Sequence, residues 1–138
     1  MNLVAQLRRV IGLGAPALEL RDVSASVRPG DELRATIQLA AGSRPVRLEH
    51  LELRLDEERL TYTTQATHEF DFWQKVGGFS VPVAGRVLAA GEVLRLPVTL
   101  GLPPALEPSA AHRRYRLSAR LGPLGLGPGD AVIVSVVA

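Results

Sequence analysis

The sequence predicts an all-β sandwich, and three observations carry that prediction. First, residues 33–39 alternate without a slip: Leu33, Ala35, Ile37 and Leu39 face one way, Arg34, Thr36 and Gln38 the other. A period of two with one apolar face marks a half-buried strand. Second, comparable apolar alternation recurs between turn residues along the chain, giving roughly seven to nine short strands, which suits an immunoglobulin-like sandwich. Third, one corner repeats ahead of several strands, in PGDELRATIQL, AGEVLRLPVTL and PGDAVIVSVV. Its spacing is too irregular for a solenoid and fits strands that start from similar bends.

A chain of 138 residues, 46% of them hydrophobic, is large enough for one core, so residues 1–138 are expected to form a single domain. No apolar run approaches the roughly 18 residues of a membrane span. The start, MNLVAQLRRVIG, is too short and too broken by charge for a secretory signal, so a cytoplasmic location is expected. The chain has no cysteine, which excludes disulfides, thiolate nucleophiles and cysteine-ligated metals. Its net charge is +2, and fifteen arginines and the single Lys75 are mixed with fourteen acids. Without a segregated basic excess, nucleic acid is not an expected partner.

Residues 2–11 carry Leu3, Val4, Leu7, Val10 and Ile11 opposite Gln6, Arg8 and Arg9, the pattern of a short amphipathic helix ended by Gly12 and Gly14. Fewer than three turns cannot hold alone in water, so the helix must dock. It either plugs one end of the sandwich or meets a partner or a membrane surface. Leu18 and Leu20 then share one parity and Val23, Ala25 and Val27 the other, which predicts a bend near Arg21-Asp22. Pro29-Gly30 fits a type II turn. Beyond Ala41-Gly42-Ser43, the row Val46, Leu48, Leu51, Leu53 and Leu55 slips by one at Glu49-His50, which predicts a β-bulge.

Asp56-Glu57-Glu58-Arg59 reads as a charged loop. Leu60 to Phe72 reads as a longer strand, with Tyr62, Thr64, Ala66, His68, Phe70 and Phe72 in phase. Gly77-Gly78 is expected to break the chain, and Phe79 to Val83 to form a short edge piece because Pro82 cannot donate. After a turn at Ala89-Ala90-Gly91-Glu92, Leu94, Leu96, Val98, Leu100 and Leu102 alternate, with Pro97 pointing to an edge or a bulge. Pro103, Pro104 and Pro108 stiffen a connection. Tyr115, Leu117, Ala119 and Leu121 form the inner row of a further strand, and Arg114, Arg116, Ser118 and Arg120 its outer row. GPLGLGPGD is a loop, and Ala131 to Val137 a closing strand.

Signatures of catalysis are missing. No serine sits in a G-x-S-x-G elbow. GPLGLGPGD is a poor phosphate loop, because two prolines remove donors, no Gly-Lys-Ser/Thr follows and the next element is a strand. His50 lies between Glu49 and Glu52, and His68 precedes Glu69 and Asp71; such pairs are ordinary on solvated strands and do not make a convergent metal set. Asp56 and Glu58 sit in an expected turn with no pocket to shift them. The chain is therefore expected not to be an enzyme, with no catalytic residue, cofactor or metal. The competing class is a ligand-binding or hydrolytic protein using distant histidines and carboxylates.

Two features favour contacts with other molecules. Arg114, Arg116 and Arg120 along one face suit a carboxylate, a phosphorylated peptide or a lipid headgroup, against the plainer reading of a solvated face with arginines paired to nearby acids. Five of the six aromatics, Tyr62, Phe70, Phe72, Trp73 and Phe79, fall between residues 62 and 79. Phe70, Phe72, Trp73 and Phe79 are candidate interface anchors, or else the packing of a sheet edge. The terminal AVIVSVVA is apolar on both faces, which favours a homo-oligomer.

A family resemblance joins these elements. A helix ending in GLG, a strand, PGDELRATIQL and then RLEHLELRL resembles the bacterial SpoOM-type sporulation-control proteins. VLAAGEVLRLPVTLGLPPALEPS is similar to that family's turn, strand and proline-rich connector. The resemblance implies an immunoglobulin-like or arrestin-like β-sandwich with a short N-terminal helix, built for protein contacts and not for catalysis. It covers the first of the two such domains that family members usually carry. The implied role is a regulatory interaction module in sporulation or a related stress programme, binding a protein partner or a second copy.

Overall fold

The computed structural model describes residues 15–59, 73–122 and 127–138. Among these residues ten strands run in chain order: β1 (Ala17–Arg21), β2 (Ser26–Val27), β3 (Glu32–Ala40), β4 (Val46–Leu48), β5 (Leu51–Arg59), β6 (Trp73–Val81), β7 (Arg86–Leu88), β8 (Val93–Gly101), β9 (Arg113–Leu121) and β10 (Gly129–Val136). They form a three-stranded sheet in the order β1-β3-β8, a five-stranded sheet in the order β2-β10-β9-β5-β6, and a small β4-β7 ribbon. Among the described residues there is no helix. The expected helix over 2–11 and the whole of the expected strand over 60–72, with Phe70, Phe72 and His68, lie outside the described residues.

One core joins the two larger sheets. From the first come Leu18, Leu20, Leu33, Ala35, Ile37, Leu39, Val98 and Leu100; from the second come Leu51, Leu53, Leu55, Tyr115, Leu117, Ala119, Leu121, Val134 and Val136. These are the inward rows that strand alternation defines, and the two sheets close on each other as a sandwich. Gln38 faces away from this core but is also buried, its Oε1 accepting a hydrogen bond from Arg95 Nε at 3.0 Å.

The chain changes sheets where sequence parity changes. Past β1, Asp22 adopts φ 50°, a left-handed conformation that aspartate tolerates, and the chain crosses to pair β2 with β10 in parallel. The slip at Glu49-His50 has the same cause. It is not a bulge within one strand: β4 pairs with β7, β5 pairs with β6 and β9, and Glu49 and His50 form the exposed step between them. Both halves still point inward, with Leu48 and Leu51 buried.

The turn at Pro29-Gly30 is as expected: Asp31 N donates to Arg28 O at 3.1 Å and Gly30 has φ 83°. Glu92 N donates to Ala89 O at 3.0 Å in the second such corner. The third differs, because Gly129 and Asp130 already lie in β10. Gly77-Gly78 does not break the chain either. The strand β6 continues through it, with Val76 as the extra residue where the register against β5 shifts between Leu55 and Asp56. A Cβ on Gly78 would sit 2.4 Å from the Leu53 carbonyl oxygen, so glycine permits this close approach to β5. Among the described residues β8 is an edge of the β1-β3-β8 sheet, as Pro97 implied, and β6 is an edge of the larger sheet.

Candidate functional site

The strand β5 runs on through the supposed acidic loop, and that places Asp56 and Glu58. Leu51, Leu53 and Leu55 face the core, so the alternate residues Glu52, Arg54, Asp56 and Glu58 project from the outer face of the five-stranded sheet. Against β9 the register sets Arg54 opposite Ser118, Asp56 opposite Arg116 and Glu58 opposite Arg114. Opposite charges directly across an antiparallel pair attract. Arg114 Nε lies 2.6 Å from Glu58 Oε1, and Arg54 Nε lies 2.7 Å from Asp56 Oδ1. Arg116 Nη2 stands 3.9 Å from Asp56 Oδ2.

Trp73, at the start of β6 and opposite Glu58, completes the cluster. The Arg116 guanidinium carbon lies 4.2 Å from the indole centroid and that of Arg114 5.3 Å, both within cation–π range. The cluster is ordered by depth. Glu58 and Asp56 side chains are 0% and 3% exposed, whereas those of Arg116, Arg54 and Arg114 are 33%, 42% and 51% exposed. Solvent therefore meets guanidinium groups with carboxylates beneath them. Two polar atoms of this cluster, Glu58 Oε2 and Arg116 Nε, are buried without a hydrogen-bond partner among the described residues.

The inner face of the same sheet end is also polar. The Tyr115 hydroxyl donates to the Glu107 carbonyl at 2.5 Å and lies 3.3 Å from Glu57 Oε2. Burial, then the charge of Glu57, pushes the phenol up to about 12. Arg59 pairs with Glu57, and Arg113 with Glu107.

Of the residues singled out from sequence, Trp73, Arg114 and Arg116 come together. Phe79 lies opposite Leu53 and packs, half-buried, against the core. Arg120 sits near the far end of β9, its Nη1 3.4 Å from the Gly127 carbonyl. Arg54 was missed, and Asp56 and Glu58 were set aside as part of a turn. Their signal was two acids at a spacing of two, matched by Arg114 and Arg116 at the same spacing. His50 and His112 are exposed, and among the described residues no group of three or more His, Cys, Asp or Glu is placed to hold a metal. A shallow polar groove lined by Ser24, Ser26, Asp31, Glu32 and Arg34 lies by β2, across the sheet from β6, and has no histidine in its lining. No helix among the described residues is long and apolar enough to cross a membrane.

The SpoOM protein family is matched over residues 4–120. The chain belongs to that family. Spo0M, the sporulation control protein from Bacillus subtilis, has a crystal structure that this SpoOM-family chain resembles with a TM-score of 0.76 at 18% identity, over 91% of this chain and 50% of that one. The chain thus spans half the length of the Bacillus protein. A beta-glucosidase from Listeria innocua, in complex with laminaribiose, is similar over 89% of this chain and 16% of its own, at 14% identity and a TM-score of 0.55. At such identities the likeness shows the fold alone. No curated protein sequence matches the SpoOM-family chain.

Proposed function

We propose that this member of the SpoOM family is a non-enzymatic regulatory module that acts in the cytoplasm by binding another protein or a second copy of itself. The observation that carries the reading is the cluster of Trp73, Arg114 and Arg116 on the outer face of the five-stranded sheet, beside the β6 edge. Tryptophan and arginine dominate interface energetics because each offers a large, stiff contact area with a polar handle. Here the stacking restrains all three side chains before any partner arrives, which lowers the ordering cost of association. Among the described residues β6 is an edge of that sheet, with a row of backbone donors and acceptors that a partner strand can use. The name of the Bacillus relative, a sporulation control protein, supports placing the module in sporulation or a related programme.

The test is retention of host proteins on the immobilised chain, together with light scattering of the free chain. The expected result is capture, or a dimer, that Trp73→Ser abolishes while circular dichroism stays unchanged. Equal capture by both proteins, or a monomer that captures nothing, would remove the outer-face cluster as the interface.

A further inference from the structure

We infer that the outer face of the five-stranded sheet holds a carboxylate-bearing segment of a protein partner, seated over the square formed by Arg54, Asp56, Arg116 and Ser118. This deepens the interaction reading above and rests on it. In the β5–β9 register, Arg54 and Ser118 form one rung of the square, and Asp56 and Arg116 the next. Asp56 is buried and serves two guanidinium groups at once, Arg54 at 2.7 Å and Arg116 at 3.9 Å. One carboxylate cannot neutralise both, so the square carries one surplus positive charge, and the arginine side chains that carry it reach solvent.

Arg116 is the less satisfied of the two. Its contact with Asp56 is too long for a hydrogen bond, and its Nε is buried without a partner among the described residues. Trp73 nonetheless fixes the plane of that guanidinium from one side. Its side chain is 33% exposed, and a restrained guanidinium that reaches solvent is suited to forked hydrogen bonds to a carboxylate. Ser118 supplies a hydroxyl on the neighbouring rung.

Charge decides between candidate anions. A carboxylate brings one negative charge and cancels the surplus. A phosphorylated residue brings nearly two, one more than the surplus of the square. On β6 Lys75 stands directly opposite Asp56 and Trp73 one rung along, opposite Glu58, while on β10 Ile133 stands directly opposite Arg116 and is 55% exposed. The fitting ligand is therefore an acidic residue flanked by apolar ones.

Trp73 is the only tryptophan, so its fluorescence reports on this site alone. The probe is an eight-residue peptide of alternating glutamate and leucine, titrated against the full chain. Controls are the same peptide with glutamine for glutamate and with phosphoserine for glutamate. The expected result is saturable binding of the glutamate peptide and binding weaker by about tenfold or more for the glutamine peptide, as for loss of a charge-assisted hydrogen bond. Arg116→Gln and Arg54→Gln should each weaken the glutamate peptide by a similar factor. Arg116→Lys, which keeps the charge but loses the fork, should restore only part of it. Circular dichroism of each variant separates lost binding from lost fold, and a variant that unfolds is replaced by its lysine counterpart. Equal binding of the glutamate and glutamine peptides, preference for the phosphoserine peptide, or no binding by any of them would overturn the inference. Host-protein capture that needs Trp73 but survives Arg54→Gln and Arg116→Gln would overturn it while leaving the interaction reading intact.

Discussion

The two faces of the β5–β9 pair reach the same depth by opposite chemistry. On the inner face Leu51, Leu53 and Leu55 stand opposite Leu121, Ala119 and Leu117, and the other sheet covers them. On the outer face Asp56 and Glu58 are as inaccessible as those leucines, but they face arginines. Burial of the leucines is driven by removal of apolar surface from water. Burial of the acids costs desolvation that their paired guanidinium groups must offset. The inner face is thus a source of stability. The outer face is a preorganised array in which buried carboxylates offset part of the guanidinium charge, a form that suits recognition better than packing.

Mutation should separate the two regimes. Leu55→Ala, at a fully buried site, should cost about 2–5 kcal/mol through lost transfer energy and the cavity left behind. Chemical denaturation measures this directly. The outer face should respond almost as strongly for a different reason. Arg114→Ala leaves buried Glu58 without its 2.6 Å partner and should cost about 3 kcal/mol. Adding Glu58→Gln to Arg114→Ala should recover about 1–2 kcal/mol, because the stranded charge is gone. A double mutant that recovers nothing would mean that the pair contributes through packing alone, and the contrast between the faces would fail.

Tyr115 sits where the two regimes meet, as an inner-row residue with a polar tip. Its pKa is about 12 in the folded chain against an ordinary value of 10.0. The folded state therefore holds the phenolic proton more tightly than the unfolded state does. That contribution to stability is complete below pH 10 and is lost as pH rises through about 12. Tyr115→Phe should remove this alkaline loss and cost about 1 kcal/mol at neutral pH, from the hydrogen bond to the Glu107 carbonyl. Denaturation curves at pH 8, 10 and 11.5 for both proteins measure each effect.

How much of this was legible in sequence follows the same division. Rows buried by apolarity could be read. Leu33 to Leu39, the inner row from Tyr115 to Leu121 and the edge position of Pro97 all follow from side-chain chemistry within one strand. Features that depend on the partner strand could not. Asp56 and Glu58 looked like a charged loop because four charged residues in a row usually remain solvated, and only the register against Arg116 and Arg114 turns them into a buried outer row. Gly77-Gly78 looked like a break because glycine lacks strand propensity, whereas β6 continues through it and the closeness of the Leu53 carbonyl requires glycine at Gly78. The parity slip at Glu49-His50 was detected, but one strand viewed alone cannot distinguish a bulge from a change of sheet. For the candidate site, the aromatic and the arginines were found separately. Their stacking depended on β6 lying beside β5, a neighbour relation that no single segment encodes.

The smallest effect belongs to the outer face of β10, at Ile133. Ile133 stands directly opposite Arg116 yet is 55% exposed. An isolated exposed isoleucine contributes little to folding, because its surface remains in water in both states. Ile133→Ser should therefore shift stability by no more than about 0.5 kcal/mol, in contrast to Arg114 one strand away. The same substitution should weaken the glutamate–leucine peptide, since it removes apolar footing beside Arg116. A loss of stability above about 1 kcal/mol would show that this half of the outer face is packed like the inner one. Depth on the outer face would then not depend on arginine pairing, and the distinction between the two faces would need a different cause.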